Sequence, residues 1–126
     1  MNSQGIAWAG IFVEDMESSV RFYRDVLGLR LLNRGDGWAH FDAGNGAMVE
    51  LFDGGTAQTA PKGPDRQSIV LGMRVDDLDV VHAELSQKGV VFLGEIGQYH
   101  ETRWAHFADP EGNRLEIKEI PSRGSG

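Results

Sequence analysis

The sequence contains no cysteine, which excludes disulfides, thiol nucleophiles and cysteine-ligated zinc sites. It also lacks an excess of positive charge: 12 basic residues face 19 acidic ones, for a net charge of -7. A nucleic-acid footprint is therefore not expected. No apolar run approaches the roughly 20 residues that a membrane helix needs. The opening "MNSQGIAWAG" has no basic region followed by an apolar run, so no secretory signal is read there and a cytoplasmic location is expected. No glycine-rich segment has phosphate-binding form, because "GNG" and "DGG" sit in turns. What remains is a chain of 126 residues, 40% hydrophobic and 25% charged. That is enough for one domain with its own core.

The chain repeats itself. Trp38-Ala39-His40-Phe41 and Trp104-Ala105-His106-Phe107 are the same tetrapeptide. In both copies a glutamate follows ten residues after the histidine, Glu50 and Glu116. Upstream, "AGIFVEDMESS" aligns with "LGMRVDDLDVV". Gly10 meets Gly72, Val13 meets Val75, Asp15 meets Asp77 and Met16 meets Leu78. Two matched blocks in the same order indicate a duplicated module of about half the chain.

Each half opens with a short apolar run and then starts a helix. Asp15 and Asp77 stand where an N-cap is wanted. Met16, Val20, Tyr23 and Leu27 follow at helical spacing, as do Leu78, Val81 and Leu85. Gly28 and Gly89 are placed to end the helices in a left-handed conformation. Three strands complete each half, the last two forming a hairpin around "DAGNG" and "DPEGN". The segment 53–67, rich in Gly, Pro and Thr, reads as a linker between modules at about 5–52 and 68–120. The closing "PSRGSG" reads as unstructured. A half of this kind exposes one sheet face and must cover it.

This order, with "VEDMESSVRFYRDVLGL" early and "FADPEGNRLEI" late, resembles the vicinal oxygen chelate superfamily. That group contains glyoxalase I, bleomycin-resistance proteins, fosfomycin-resistance proteins and extradiol dioxygenases. The resemblance runs from Ile6 to Ile120. It implies an α+β fold: two tandem βαβββ modules forming a U-shaped, eight-stranded mixed sheet around a half-barrel cavity, with the helices outside. It also implies a homodimer and a small-molecule ligand or substrate. In metal-using members, side chains from the first and last strands of both modules hold one divalent ion. The first-strand positions here are Trp8 and Val70, neither of which can ligate, while the last-strand positions are Glu50 and Glu116. Two carboxylates alone suit zinc or nickel poorly.

Strand parity orients these residues. Val49 and Leu51 flank Glu50, and Leu115 and Ile117 flank Glu116. If the apolar neighbours face the helices, both glutamates face the other way. The same division puts Trp38 with His40, and Trp104 with His106, on the glutamate side. A type I turn over Asp109–Gly112 followed by a bulge sets His106 opposite Glu116, and the repeat sets His40 opposite Glu50.

Three readings follow for these residues. The first is structural: two His–Glu pairs that satisfy each other. The second is a relocated metal site of His40, Glu50, His106 and Glu116, suited to zinc, iron or manganese, with nickel also in view. The third is ligand binding without metal, on a surface of Trp8, Trp38, Trp104, His40 and His106, with Arg74 as a further polar contact. A desolvated Glu50 or Glu116 can also serve as a general base beside a carbonyl, the step that the resemblance to glyoxalase I implies. The favoured expectation is a metal-free binder of a small organic molecule. The alternative is a metal-dependent glyoxalase-like lyase, isomerase or dioxygenase. Tyr99, His100 and Arg103 are weaker candidates for the mouth of the cavity, and His82 reads as a surface residue of the second helix.

Overall fold

The computed structural model describes residues 1–121; the rest of the "PSRGSG" tail lies outside the described residues. Strand β1 (Trp8–Val13) leads into helix α1 (Met16–Arg21), followed by β2 (Arg30–Gly35), β3 (Trp38–Gly44) and β4 (Ala47–Asp53). The second half repeats the order: β5 (Leu71–Arg74), α2 (Leu78–Gln87), β6 (Phe92–Tyr99), β7 (Thr102–Ala108) and β8 (Arg114–Glu119). The fold is α+β, built of two tandem βαβββ modules. Among the described residues, no helix is long and apolar enough to cross a membrane.

The helix starts follow the capping chemistry. The carboxylate of Asp15 accepts from the backbone N–H of Ser18 at 3.2 Å, and that of Asp77 from Val80 at 3.1 Å. Gly28 and Gly89 end the helical segments at φ +78° and +93°, a conformation costly for a residue with a Cβ. Between Arg21 and Gly28 the first helix departs from α geometry. Phe22–Val26 form a π-helical turn, closed by the N–H of Leu27 on the carbonyl of Phe22 at 3.0 Å. The wider turn lets two successive aromatic residues, Phe22 and Tyr23, both sink into the core.

Hydrogen bonding divides the eight strands into two four-stranded sheets, ordered β1-β4-β3-β2 and β5-β8-β7-β6. Each is mixed: β1 with β4 and β5 with β8 run parallel, and the remaining pairs are antiparallel. The chain separates into two compact units, Met1–Thr59 and the part from Ala60 onward. In the first, Ala39, Phe41, Val49 and Leu51 turn inward with Val13, Val20 and Tyr23. In the second, Ala105, Phe107, Leu115 and Ile117 do so with Leu78 and Leu85. Burying each large side chain contributes roughly 1.5–3 kcal/mol.

The segment between β4 and β5 is partly anchored. The backbone N–H of Lys62 donates to the carbonyl of Gly112 at 2.8 Å, and Lys62 Nζ donates to Asn113 Oδ1 at 2.6 Å. Gln67 exchanges two bonds with the backbone of Arg114, at 2.7 and 2.9 Å. Its later part is thus a strap across the β7–β8 turn of the second unit. These bonds satisfy backbone groups that a free linker would leave to water.

Candidate functional site

Each unit carries its copy of the repeated glutamate on the sheet face opposite its helix, and each glutamate is held by the strand beside it. In the first unit the turn at Gly44–Gly46, with positive φ at Gly44, Asn45 and Gly46, sets His40 directly across from Glu50. His40 Nε2 lies 2.8 Å from Glu50 Oε2. An ionised carboxylate only accepts, so the imidazole carries its proton on Nε2 in this bond. In the second unit the turn is closed by the N–H of Gly112 on the carbonyl of Asp109 at 3.1 Å. The Asp109 carboxylate also accepts from the backbone N–H groups of Glu111 and Asn113, both at 2.9 Å. This fixes His106 across from Glu116, with Nε2 2.9 Å from Oε2.

The other oxygen of each glutamate is occupied as well, and here the units diverge. In the first, the indole Nε1–H of Trp8 donates to Glu50 Oε1 at 3.0 Å. The Trp8 ring reaches it by lying across Gly10, where a Cβ would come within 2.5 Å of the ring. In the second unit the matching first-strand residue is Val70, and Lys118 Nζ takes the position instead, 3.4 Å from Glu116 Oε1. Glu116 lies over Gly72, where a Cβ would sit 3.0 Å from Oε1. The carboxylates are mostly shielded, with side-chain exposures of 14% for Glu50 and 16% for Glu116.

The repeated tryptophans also share a setting. Trp38 packs on Gly35, its cross-strand partner, and Trp104 packs on Gly97, its own. A side chain at either glycine would collide with the indole. Trp38 leans on His40 with ring centroids 4.9 Å apart, and Lys118 Nζ stands 5.5 Å above the Trp104 ring. Trp8 is 48% exposed and meets Phe52 edge-on at 6.1 Å; Phe12 meets the same Phe52 at 5.5 Å. The first unit therefore presents an aromatic cluster beside its carboxylate.

The remaining candidates have partners of their own. Arg74 donates to the carbonyls of Ile120 at 2.9 Å and Pro121 at 3.4 Å rather than to a glutamate. Arg103 crosses to α2 and grips Asp79 with two bonds of 3.0 Å; this bond holds the Asp79 carboxyl below its ordinary 3.8. Tyr99 and His100 form the exposed tip of the β6–β7 hairpin, with His100 at φ +53°. His82 stacks on Phe92 at 3.8 Å and so belongs to the packing between α2 and the sheet. In the first unit, the backbone N–H of Gly44 and then Arg30 hold Asp42 below its ordinary value. The sequence alone assigns no role beside the glutamates or tryptophans to Gly10, Gly35, Gly72, Gly97 or Lys118. Lys118 was legible by parity, two residues beyond Glu116, and Gly10 and Gly72 by their match in the repeat.

Within each unit the potential donors are turned on one another. Each His Nε2 is turned onto its own glutamate, Glu50 also accepts from Trp8, Glu116 is also ion-paired with Lys118, and Trp8 and Val70 offer no ligand atom. Among the described residues there is no group of three or more His, Cys, Asp or Glu that could hold a metal.

The fold and the repeated strand-borne glutamates define a class, and the comparisons with known proteins agree. The family model described as Glyoxalase/Bleomycin resistance protein/Dioxygenase superfamily matches residues 5–117. The chain belongs to this superfamily. It is similar to the uncharacterized protein YraH of Bacillus subtilis (strain 168), 31% identical over 87% of this chain and 94% of that protein. It is also similar to the metallothiol transferase FosB of Lysinibacillus sphaericus (strain C3-41), 29% identical over 93% of this chain and 83% of FosB. Among solved structures it is similar to TnmS3, an antibiotic binding protein from Streptomyces sp. CB03234. The TM-score is 0.71 at 26% identity, covering 94% of this chain and 98% of TnmS3.

Proposed function

We propose that this protein binds a small organic molecule on its glutamate-bearing sheet faces, without the family's usual metal site and without turnover. The observation that carries this reading is that both carboxylates are engaged by the chain's own polar groups: Trp8 and His40 on Glu50, Lys118 and His106 on Glu116. These contacts orient the carboxylates toward the chain's own groups and hold the faces in shape. The exposed rings of Trp8 and Phe12, which meet the half-buried Phe52 between them, offer aromatic area to a flat ligand. The similarity to an antibiotic binding protein supports the same reading.

A second reading has one observation in its favour. The same His and the same Glu occur in both units, as a symmetric metal site would require, and a relative is named a metallothiol transferase. In that case His40, Glu50, His106 and Glu116 would hold a divalent ion in a glyoxalase-like lyase. A thermal-shift screen with bleomycin, fosfomycin and the hemithioacetal of methylglyoxal and glutathione separates the two. Stabilisation by a drug with no product formed is expected. Turnover of the hemithioacetal would replace the binder by the enzyme. The family resemblance also makes the protein a homodimer in this reading, which light scattering tests; a monomer would remove that part.

A further inference from the structure

The repeat has conserved its carboxylates and exchanged what surrounds them. On the glutamate side of β1 and β4 stand Phe12, Met48 and Phe52 around Glu50. At the matching places on β5 and β8 stand Arg74, Arg114 and Lys118 around Glu116. Three of the four apolar positions on that face of the first unit are cations in the second; the fourth, Trp8, is matched by Val70. On these two strands the face carries three positive charges against one negative, a surplus of two, in a chain whose net charge is -7.

The cations are not neutralised by neighbouring carboxylates in proportion. Arg74 and Lys118 are directly paired across β5 and β8, and like charges at paired positions are unfavourable. Arg74 donates to the carbonyls of Ile120 and Pro121 and Arg114 to the carbonyl of Lys62 at 2.8 Å. These bonds fix the guanidinium groups without cancelling their charge. Lys118 shares Glu116 with His106 and is 37% exposed, so an ammonium N–H can be presented outward. The Trp104 ring beneath it supplies a flat floor.

We propose that this face of the second unit is an anion subsite: it takes the carboxylate, phosphate or phosphonate group of a small molecule, with Lys118 making the contact and Arg74 supplying the second charge. The bound anion offsets the like-charge pairing of Arg74 with Lys118. It also discriminates, because a neutral ligand leaves that repulsion in place and a cationic one adds to it. The proposal rests on the small-molecule reading above and extends it to the ligand's charge.

The test uses the full chain and three probes that share one ring: phenylphosphonate, benzyl alcohol and benzylammonium, with inorganic phosphate as a fourth. Binding is followed by amide chemical shifts. Phenylphosphonate is expected to bind about tenfold tighter than benzyl alcohol, the worth of one charge-assisted bond, with shifts centred on Gly72, Arg74, Trp104 and Lys118. Lys118→Met should erase the preference, Lys118→Arg should restore it, and Arg66→Met should leave it unchanged. Equal affinity for the anion and the alcohol overturns the anion subsite and leaves the binder reading standing. So does a preference that survives both Lys118→Met and Arg74→Met. Shifts with phosphate and phenylphosphonate but none with benzyl alcohol keep the subsite and remove the flat-ligand reading. No shift with any probe overturns the subsite.

Discussion

The first and second units share one scaffold and differ at its surface. Both cap their helix with an aspartate and place an acid two residues later, Glu17 and Asp79. Both tie that acid to an arginine from the sheet, Arg34 at 2.7 Å and Arg103 at 3.0 Å. The arginines come from different strands, β2 and β7, so the pairing was reached by separate routes. Both rest a tryptophan on a glycine and a histidine on a glutamate. The difference lies in the last bond to the glutamate, an uncharged indole in one unit and an ammonium in the other. The positions that hold the sheet on its helix have stayed alike, whereas those on the open face have become aromatic in one unit and cationic in the other. Packing constrains the buried side of a strand, and ligand chemistry is free to shape the open one.

The largest expected effect tests the shared scaffold. Phe41 and Phe107 occupy the same place in the repeat and are both fully buried. Replacing either by alanine should destabilise by about 3–5 kcal/mol, measured by chemical denaturation. Costs that differ by more than a factor of about two would show that the cores are not equivalent.

Next comes the carboxylate shell. His40→Ala leaves Glu50 with one neutral donor, Trp8, and should cost about 1–3 kcal/mol. His106→Ala should also destabilise, toward the lower end of that range, because Lys118 still faces Glu116 with an opposite charge. A larger loss for His106→Ala would contradict the assignment of Lys118.

The glycines beneath the rings come third. Gly10→Ala would force the Trp8 indole off Glu50 and should cost about 1–3 kcal/mol as overpacking, with altered tryptophan emission. Gly72→Ala meets Glu116 Oε1 at 3.0 Å, a contact that small carboxylate movements can relieve, so its effect should be smaller.

The smallest effect is the pH dependence of the two helix–sheet ion pairs. The Arg34 hydrogen bond holds Glu17 below its ordinary 4.5, and the Arg103 hydrogen bond holds Asp79 below 3.8. A carboxylate bound less tightly to its proton in the folded state stabilises above its ordinary value. That stability is lost as the pH falls through the lower folded value. Both pairs are exposed, so only a slight decline in melting temperature is expected below about pH 4.5. Asp79→Asn should flatten the more acidic part of it. A decline unchanged in the variant would assign the acid limb to other groups.

Much of this was legible in the sequence because it rests on local chemistry. The caps at Asp15 and Asp77, the glycine stops and the two turns are short-range signals. The turns alone fix the register that brings His40 to Glu50 and His106 to Glu116. The π-helical turn at Phe22–Val26 has no compositional mark, because it is imposed by the packing of Phe22 and Tyr23. The strap formed by Lys62 and Gln67 was hidden for a similar reason: its partners, Gly112 and Arg114, are about fifty residues away in the chain. A segment rich in Gly, Pro and Thr gives only its flexibility before folding. Trp8 was read as a ligand-facing aromatic, and its bond to Glu50 was missed because it depends on the space above Gly10.

The central claim is that each His–Glu pair closes on itself and is not half of a metal site. Elemental analysis of the purified protein, beside His40→Ala and His106→Ala, tests it most directly. The account predicts far less than one divalent ion per chain in all three, and a melting temperature that added zinc does not raise. Close to one ion per chain in the parent, falling sharply in both variants, would contradict it.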